Sequence, residues 1–274
     1  MVQEYDPSAE SIGNVVLMEH LNVTVPDQLK ATVFYIVGLG FTRDPYNAVA
    51  IDNMHVNVGQ QQFHLPTRGV QVVPGHVGLV VPSLDQLRER LKYVAEPLQE
   101  SEFGWSDEDG YVSITCPWGN QFRAYEPSER FGTMKLGIPY IALEAPTGSA
   151  AGIARFYDRV MGAPSMVAEH GGYTAAHVTV GRNQTLVFQE TASDLPPYAG
   201  YHVAVYIADF ARPYNHLRDR GLADEVRNHQ FRFSEIRDPD TEQPVFTLEH
   251  EVRNVFHPNF GVPLINRTPQ RVGR

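Results

Sequence analysis

Alternation of apolar and polar residues recurs at four places along the chain, and a stretch of helical period follows each. The alternations begin His20-Leu21-Asn22-Val23-Thr24-Val25, His76-Val77-Gly78-Leu79-Val80-Val81, Tyr140-Ile141-Ala142-Leu143-Glu144-Ala145 and His202-Val203-Ala204-Val205-Tyr206-Ile207. Successive strand side chains point to opposite faces. Leu21, Val23 and Val25 therefore share one face, and His20, Asn22 and Thr24 share the other. Three of the four repeats open with histidine; the third opens with Tyr140. A repeat of about sixty residues with a polar residue at one fixed slot predicts both an architecture and a site.

After the first strand, Leu29, Val33, Phe34 and Val37 recur at helical spacing, and Gly38-Leu39-Gly40 stops the helix. Strands follow around Ala48–Asp52, Met54–Gly59 and Gln61–Leu65. In the second repeat Ser83 caps a helix through Leu91. Strands near Tyr111–Cys116 and Asn120–Tyr125 follow, joined by Pro117-Trp118-Gly119. The third repeat carries a helix with Ile153, Phe156, Tyr157 and Val160, then strands near Tyr173–Gly181 and Gln184–Glu190. The fourth has a helix with Leu217, then strands near Phe231–Arg237 and Val245–Val252. Each unit reads as βαβββ. One unit alone leaves its sheet half covered; two paired units curl into an open barrel with helices outside. The fold class is α+β: four βαβββ modules paired into two open barrel-like domains. The expected organisation is an arm at 1–14, a first domain at 15–127, a linker at 128–137, a second domain at 138–252 and a tail at 253–274.

Composition narrows the functions. The net charge of −10 supplies no concentrated basic face, which argues against sequence-independent nucleic-acid binding. A single cysteine, Cys116, excludes an intramolecular disulfide and suits a reducing compartment. Met1 to Gly13 lacks the basic start and apolar run of a signal peptide. No apolar stretch reaches membrane-span length. A cytoplasmic protein with a small-molecule partner is expected, with no membrane or nucleic-acid partner; monomer and homodimer stay open.

The unit order, together with Phe34-Tyr35 before Gly38-Leu39-Gly40-Phe41 and with Cys116-Pro117-Trp118-Gly119-Asn120, resembles the vicinal oxygen chelate superfamily. That group contains glyoxalase I, extradiol ring-cleaving dioxygenases and bleomycin-resistance proteins. The resemblance covers residues 17–252. Four units in one chain look most like the two-domain extradiol dioxygenases.

The resemblance implies metal ligands drawn from the first and last strands of each unit. In the N-terminal half these slots hold His20, His76, His64 of Gln62-Phe63-His64 and Arg123 of Gln121-Phe122-Arg123. Parity turns Phe63 and Phe122 toward the helices and His64 and Arg123 toward the cavity. His20, His64 and His76 are the first-choice metal set, for a divalent ion such as Fe, Zn or Mn. Arg123 stands where a carboxylate usually sits and instead suits an anion clamp. Arg123 and Tyr125 are the candidate catalytic residues. The C-terminal slots hold Tyr140, Gln189, His202 and one residue of Thr247-Leu248-Glu249-His250-Glu251. Parity allows Thr247, Glu249 and Glu251; Glu249 is chosen. His202, Glu249 and Gln189 form the second-choice metal set. His250 faces away from both glutamates, and His55 is read as structural. A metal-free polar cavity remains the alternative for either set.

Two functions follow. The resemblance implies a metal-dependent enzyme acting on a small oxygenated, possibly aromatic, substrate. A ring-cleaving dioxygenase is its leading subtype, and the missing carboxylate counts against it. The alternative is a metal-free protein that sequesters a small molecule, as bleomycin-resistance proteins do.

Overall fold

The computed structural model describes residues 10–48 and 50–267. Among these residues, sixteen strands and four α-helices follow the fourfold pattern. The first unit contains β1 (Val15–Asn22), α1 (Gln28–Ala31), β2 (Thr42–Arg43), β3 (Asn53–Val58) and β4 (Gln61–Pro66). The second contains β5 (Gly75–Val80), α2 (Leu84–Val94), β6 (Gly104–Glu108), β7 (Tyr111–Thr115) and β8 (Gln121–Tyr125). The third contains β9 (Tyr140–Pro146), α3 (Ala150–Phe156), β10 (Ser165–His170), β11 (Tyr173–Gly181) and β12 (Gln184–Thr191). The fourth contains β13 (His202–Ile207), α4 (Ala211–Arg218), β14 (Asp224–Arg227), β15 (Gln230–Arg237) and β16 (Pro244–Asn254).

Helices α1 and α3 each continue as a π-helical stretch, Thr32–Gly38 and Tyr157–Met161. Asp27 accepts from the amides of Leu29 and Lys30 and so starts α1. The strand expected at 48–52 is displaced. Its place is taken by the two-residue β2, and Ala50 to Asp52 form a bend and turn.

Two open eight-stranded sheets result, and neither closes into a barrel. One has the order β14-β15-β16-β13-β1-β4-β3-β2, the other β10-β11-β12-β9-β5-β8-β7-β6. The first unit therefore pairs with the fourth, through antiparallel β1 and β13, and the second pairs with the third, through β5 and β9. The first and second units thus lie in different sheets, as do the third and fourth, in contrast to the expected grouping of the first with the second. The reason is physical: every unit presents the same free first-strand edge, with the same alternation. Hydrophobic pattern alone cannot choose among four equivalent edges.

The two sheets stack with their apolar faces inward, and aromatic residues knit them together. Tyr35 lies 5.3 Å from Phe63 of β4 and 6.2 Å from Phe122 of β8, ring centre to ring centre. Phe63 and Phe122 themselves stand 5.9 Å apart. Tyr157 does the same work in the other half, 5.5 Å from Phe188, with its hydroxyl 2.7 Å from His250 Nε2. Gln184 of β12 adds a polar stitch: its amide exchanges hydrogen bonds with both backbone groups of Met18 at 3.1 and 2.9 Å. Arg155 of α3 grips Asp238 of the fourth unit through two hydrogen bonds, 2.9 and 2.7 Å, and holds that carboxyl down at a pKa of about 2.

This stacking fixes where the polar faces go. Phe63 and Phe122 point at each other across the core. His64 and Arg123, their neighbours in sequence, therefore point out of opposite sides of the molecule.

Candidate metal centre

Strands β1, β13, β4 and β16 meet at the middle of the first sheet. His20 and His202 lie on the two central strands, where β1 and β13 run antiparallel. The outer neighbours supply the next pair. Asn22 of β1 is opposite His64 of β4, and Ala204 of β13 is opposite Glu251 of β16. His64 and Glu251 thus hold equivalent positions, each in register with the residue two past a first-strand histidine. All four side chains face the same side.

Three of them converge. His20, His202 and Glu251 are buried, and one donor atom from each lies within 4.8 Å of the others. His20 Nε2 is 3.4 Å from His202 Nε2, and Glu251 Oε2 is 3.7 Å from the same His202 nitrogen. His64 stacks on His20 at 3.6 Å between ring centres, and His55 stacks on His64 at 3.5 Å. His64 Nε2 donates to Gln62 Oε1 at 2.9 Å.

Charged residues surround this core. Glu19 Oε2 accepts from His20 Nδ1 at 2.9 Å, and Glu19 Oε1 accepts from the Tyr206 hydroxyl at 3.1 Å. Arg253 bridges Glu19 and Glu251. Arg232 pairs with Glu249 and Glu251. A β-bulge between Met18 and His20 lets Glu19 reach the same face as its neighbour, which strict alternation forbids. All three site histidines are held neutral. Burial pushes His20 well below its ordinary range, helped by Arg253; burial and the adjacent His20 do the same to His64. Burial and Arg232 bring His202 down to about 3.

The donor set of His20, His202 and Glu251 could hold a metal ion. A carboxylate only accepts, so Glu19 places the His20 proton on Nδ1 and the lone pair on Nε2. His202 then meets a conflict in either neutral form. With its proton on Nε2 it leaves a lone pair facing Glu249, 3.5 Å from Nδ1. With its proton on Nδ1 it aims a second lone pair at His20 Nε2. A cation at the paired Nε2 atoms removes the conflict. Two histidines backed by carboxylates are the usual outer support of such ligands. Two guanidiniums against Glu19, Glu249 and Glu251 also leave one negative charge for a cation to meet.

The sequence-expected site residues divide between the two sheets. His20 and His64 lie with His202, as members of one site rather than of two. His76, Arg123, Tyr125, Tyr140 and Gln189 belong to the other sheet. His76 is thus separated from the histidines with which it was grouped. Glu249 lies on the Nδ1 side of His202, and Glu251 sits with the converging nitrogens. Glu249 lies two residues before the slot held by Glu251, and Gln189 lies two residues beyond the equivalent position, which holds Val187. Side-chain parity is as expected in both cases; the register is shifted by two. His250 is in the core as expected, stacked on Phe233 at 4.4 Å. His55, Glu19, Arg232 and Arg253 join the site unforeseen. For Glu19 the adjacency to His20 was the one available signal.

A cavity of about 280 Å³ opens beside the centre, lined by Glu19, His55, His64, Tyr206 and Arg253. Its outer wall is the chain after β16, including Asn259 and Val262 to Leu264. Asn266 ties that segment down by bonding both backbone groups of Gly59, at 3.0 and 2.7 Å. No helix among the described residues is long and apolar enough to cross a membrane.

The two eight-stranded sheets of βαβββ units form an α+β fold that matches those of glyoxalase I and of a dioxygenase-like structure. Among solved structures, the "putative dioxygenase" of Bacillus subtilis superposes with a TM-score of 0.60 at 14% identity, covering 88% of this chain and 86% of that one. Glyoxalase I of Zea mays gives 0.59 at 14% identity, covering 86% and 92%. The cppA protein of Streptococcus pneumoniae gives 0.52 at 9%, covering 89% and 100%. No family model and no curated protein matches the chain by sequence.

Proposed function

We propose that the protein is a divalent-metal enzyme acting on a small oxygenated substrate, with His20, His202 and Glu251 as its ligands. The observation that supports this most is the convergence of two neutral imidazole nitrogens and one carboxylate on a single buried point. Two histidines and a carboxylate are the facial set of non-haem iron oxygenases. Glu251 supplies the carboxylate that the N-terminal half lacks, so a ring-cleaving dioxygenase is the favoured subtype. A metal held by these three residues would supply Lewis acidity to an oxygenated substrate. Glu19 and Glu249 orient the two imidazoles. His55, Tyr206 and Arg253 line the adjoining cavity and contact the rest of the substrate. The segment ending at Asn266 limits the entry of water.

A second reading has its own support. Both oxygens of Glu251 already accept from arginines, Oε1 from Arg253 and Oε2 from Arg232. A site whose carboxylate stays engaged in this way would bind a small molecule without metal.

Metal analysis separates the two. Protein purified anaerobically without chelator should carry about one transition-metal ion per chain. His202→Ala and Glu251→Gln should lose it, and His76→Ala should keep it. Absence of metal from the unmodified protein, or its loss on His76→Ala alone, would overturn the assignment.

A further inference from the structure

The outer face of the second sheet carries its own cavity, on the opposite side of the molecule from the His20 centre. Its volume is about 770 Å³, within the range of small-molecule sites. Arg123, Arg130, Tyr111, Tyr125 and Tyr140 line it. We propose that this cavity binds a small aromatic monocarboxylate, with Arg123 and Arg130 holding the carboxylate and the tyrosines holding the ring.

The four slots of this sheet that match the metal centre hold His76, Arg123, Tyr140 and Val187. A guanidinium and an aliphatic side chain stand where His64 and Glu251 stand in the other sheet. That set repels a cation and attracts an anion. Among the described residues, no carboxylate lies within ion-pair distance of Arg123 or Arg130, although most other arginines of the chain are paired.

Both guanidiniums instead rest on aromatic rings. Arg123 lies 5.3 Å from the centre of Tyr111, and Arg130 lies 5.1 Å from Tyr125 and 5.9 Å from Tyr140. That stacking leaves their in-plane N–H groups free for a planar, bidentate acceptor. The rings form a continuous wall: Tyr111 to Tyr125 is 5.5 Å, and the Tyr125 and Tyr140 hydroxyls are 2.9 Å apart. The backbone accommodates this wall, since a Cβ at Gly78 would stand 2.3 Å from Tyr140 Cε1. On the far side of Arg123 a smaller cavity of about 260 Å³ is lined by His76, whose Nε2 is buried without a partner. Exposed Glu108, Asp109 and Glu126 sit at the rim. They disfavour a second negative charge on the ligand, hence the single carboxylate.

Calorimetric titration of the full chain with benzoate, and with its neutral isostere benzamide, tests this. Benzoate should bind at least about tenfold more tightly than benzamide, the scale of a charge-assisted hydrogen bond. Arg123→Met should weaken benzoate by about tenfold or more, and Arg123→Lys by less. Arg130→Met, at an exposed position, repeats the test where folding is not at stake. His202→Ala should leave benzoate affinity unchanged, which keeps the result independent of the metal centre. Equal affinity for benzamide, no binding of benzoate, unchanged affinity in both arginine variants, or loss on His202→Ala would overturn the proposal.

Discussion

At the scale of single residues, the proposed centre depends on groups outside the ligand set itself. Glu19 is the clearest case. It fixes the His20 proton on Nδ1, receives the Tyr206 hydroxyl and pairs with Arg253. Removing its charge should free the His20 ring and leave Arg253 with one carboxylate fewer. Glu19→Gln is expected to lower metal affinity by about 10- to 100-fold, measured by competition with a chromophoric chelator. Unchanged affinity in a folded variant would mean that Glu19 serves Arg253 alone. The residue scale also shows how far parity reasoning reaches. Inward placement of His20, His64, His202 and Glu251 is legible from alternation. The bulge that turns Glu19 to the same face is not, because it is set by how β1 meets β13.

At the scale of elements, the segment after β16 acts as a strap. It crosses from the fourth unit back to the first, where Asn266 caps Gly59 and the Asn57 amide donates to Ile265 O at 2.9 Å. Phe260 packs on Tyr206 with ring centres 5.0 Å apart, beside the cavity. Asn266→Ala removes three hydrogen bonds, two with Gly59 and one to Leu264 O, each worth about 1 kcal/mol. The Gly59 amide, which donates to Asn266, should then exchange with solvent faster by about one order of magnitude or more, as read by native-state hydrogen exchange. Unaltered protection at Gly59 would show that the strap is held by its apolar contacts. The register of β16 also belongs to this scale. The turn from Asp238 to Gln243 is long and organised by Asp238, so side-chain parity, which allows Thr247, Glu249 and Glu251 alike, does not single out Glu251.

At the scale of the whole molecule, burial of neutral histidines couples stability to pH. His76 and His202 are held at about 3 and His250 at about 4, mainly by burial. The unfolded chain binds these protons near pH 6.5. Stability from these groups is therefore complete above pH 6.5 and falls as pH drops toward 4 and 3, by up to about 1.4 kcal/mol per histidine per pH unit. Urea midpoints for the metal-free protein should be lower at pH 5 than at pH 7. Equal midpoints would mean that the histidines become solvated without unfolding.

The sequence by itself determined the unit, its count and the side of each strand that carries polar groups. Those are local properties, fixed by side-chain alternation, helical period and the glycines that end helices. Tertiary structure alone decided which units share a sheet, because four equivalent strand edges compete and only packing between the sheets selects among them. That choice joined His20 and His64 to His202 and Glu251. It sent His76 and Arg123 to the opposite face, and so made two chemically distinct side-chain clusters from one repeated pattern.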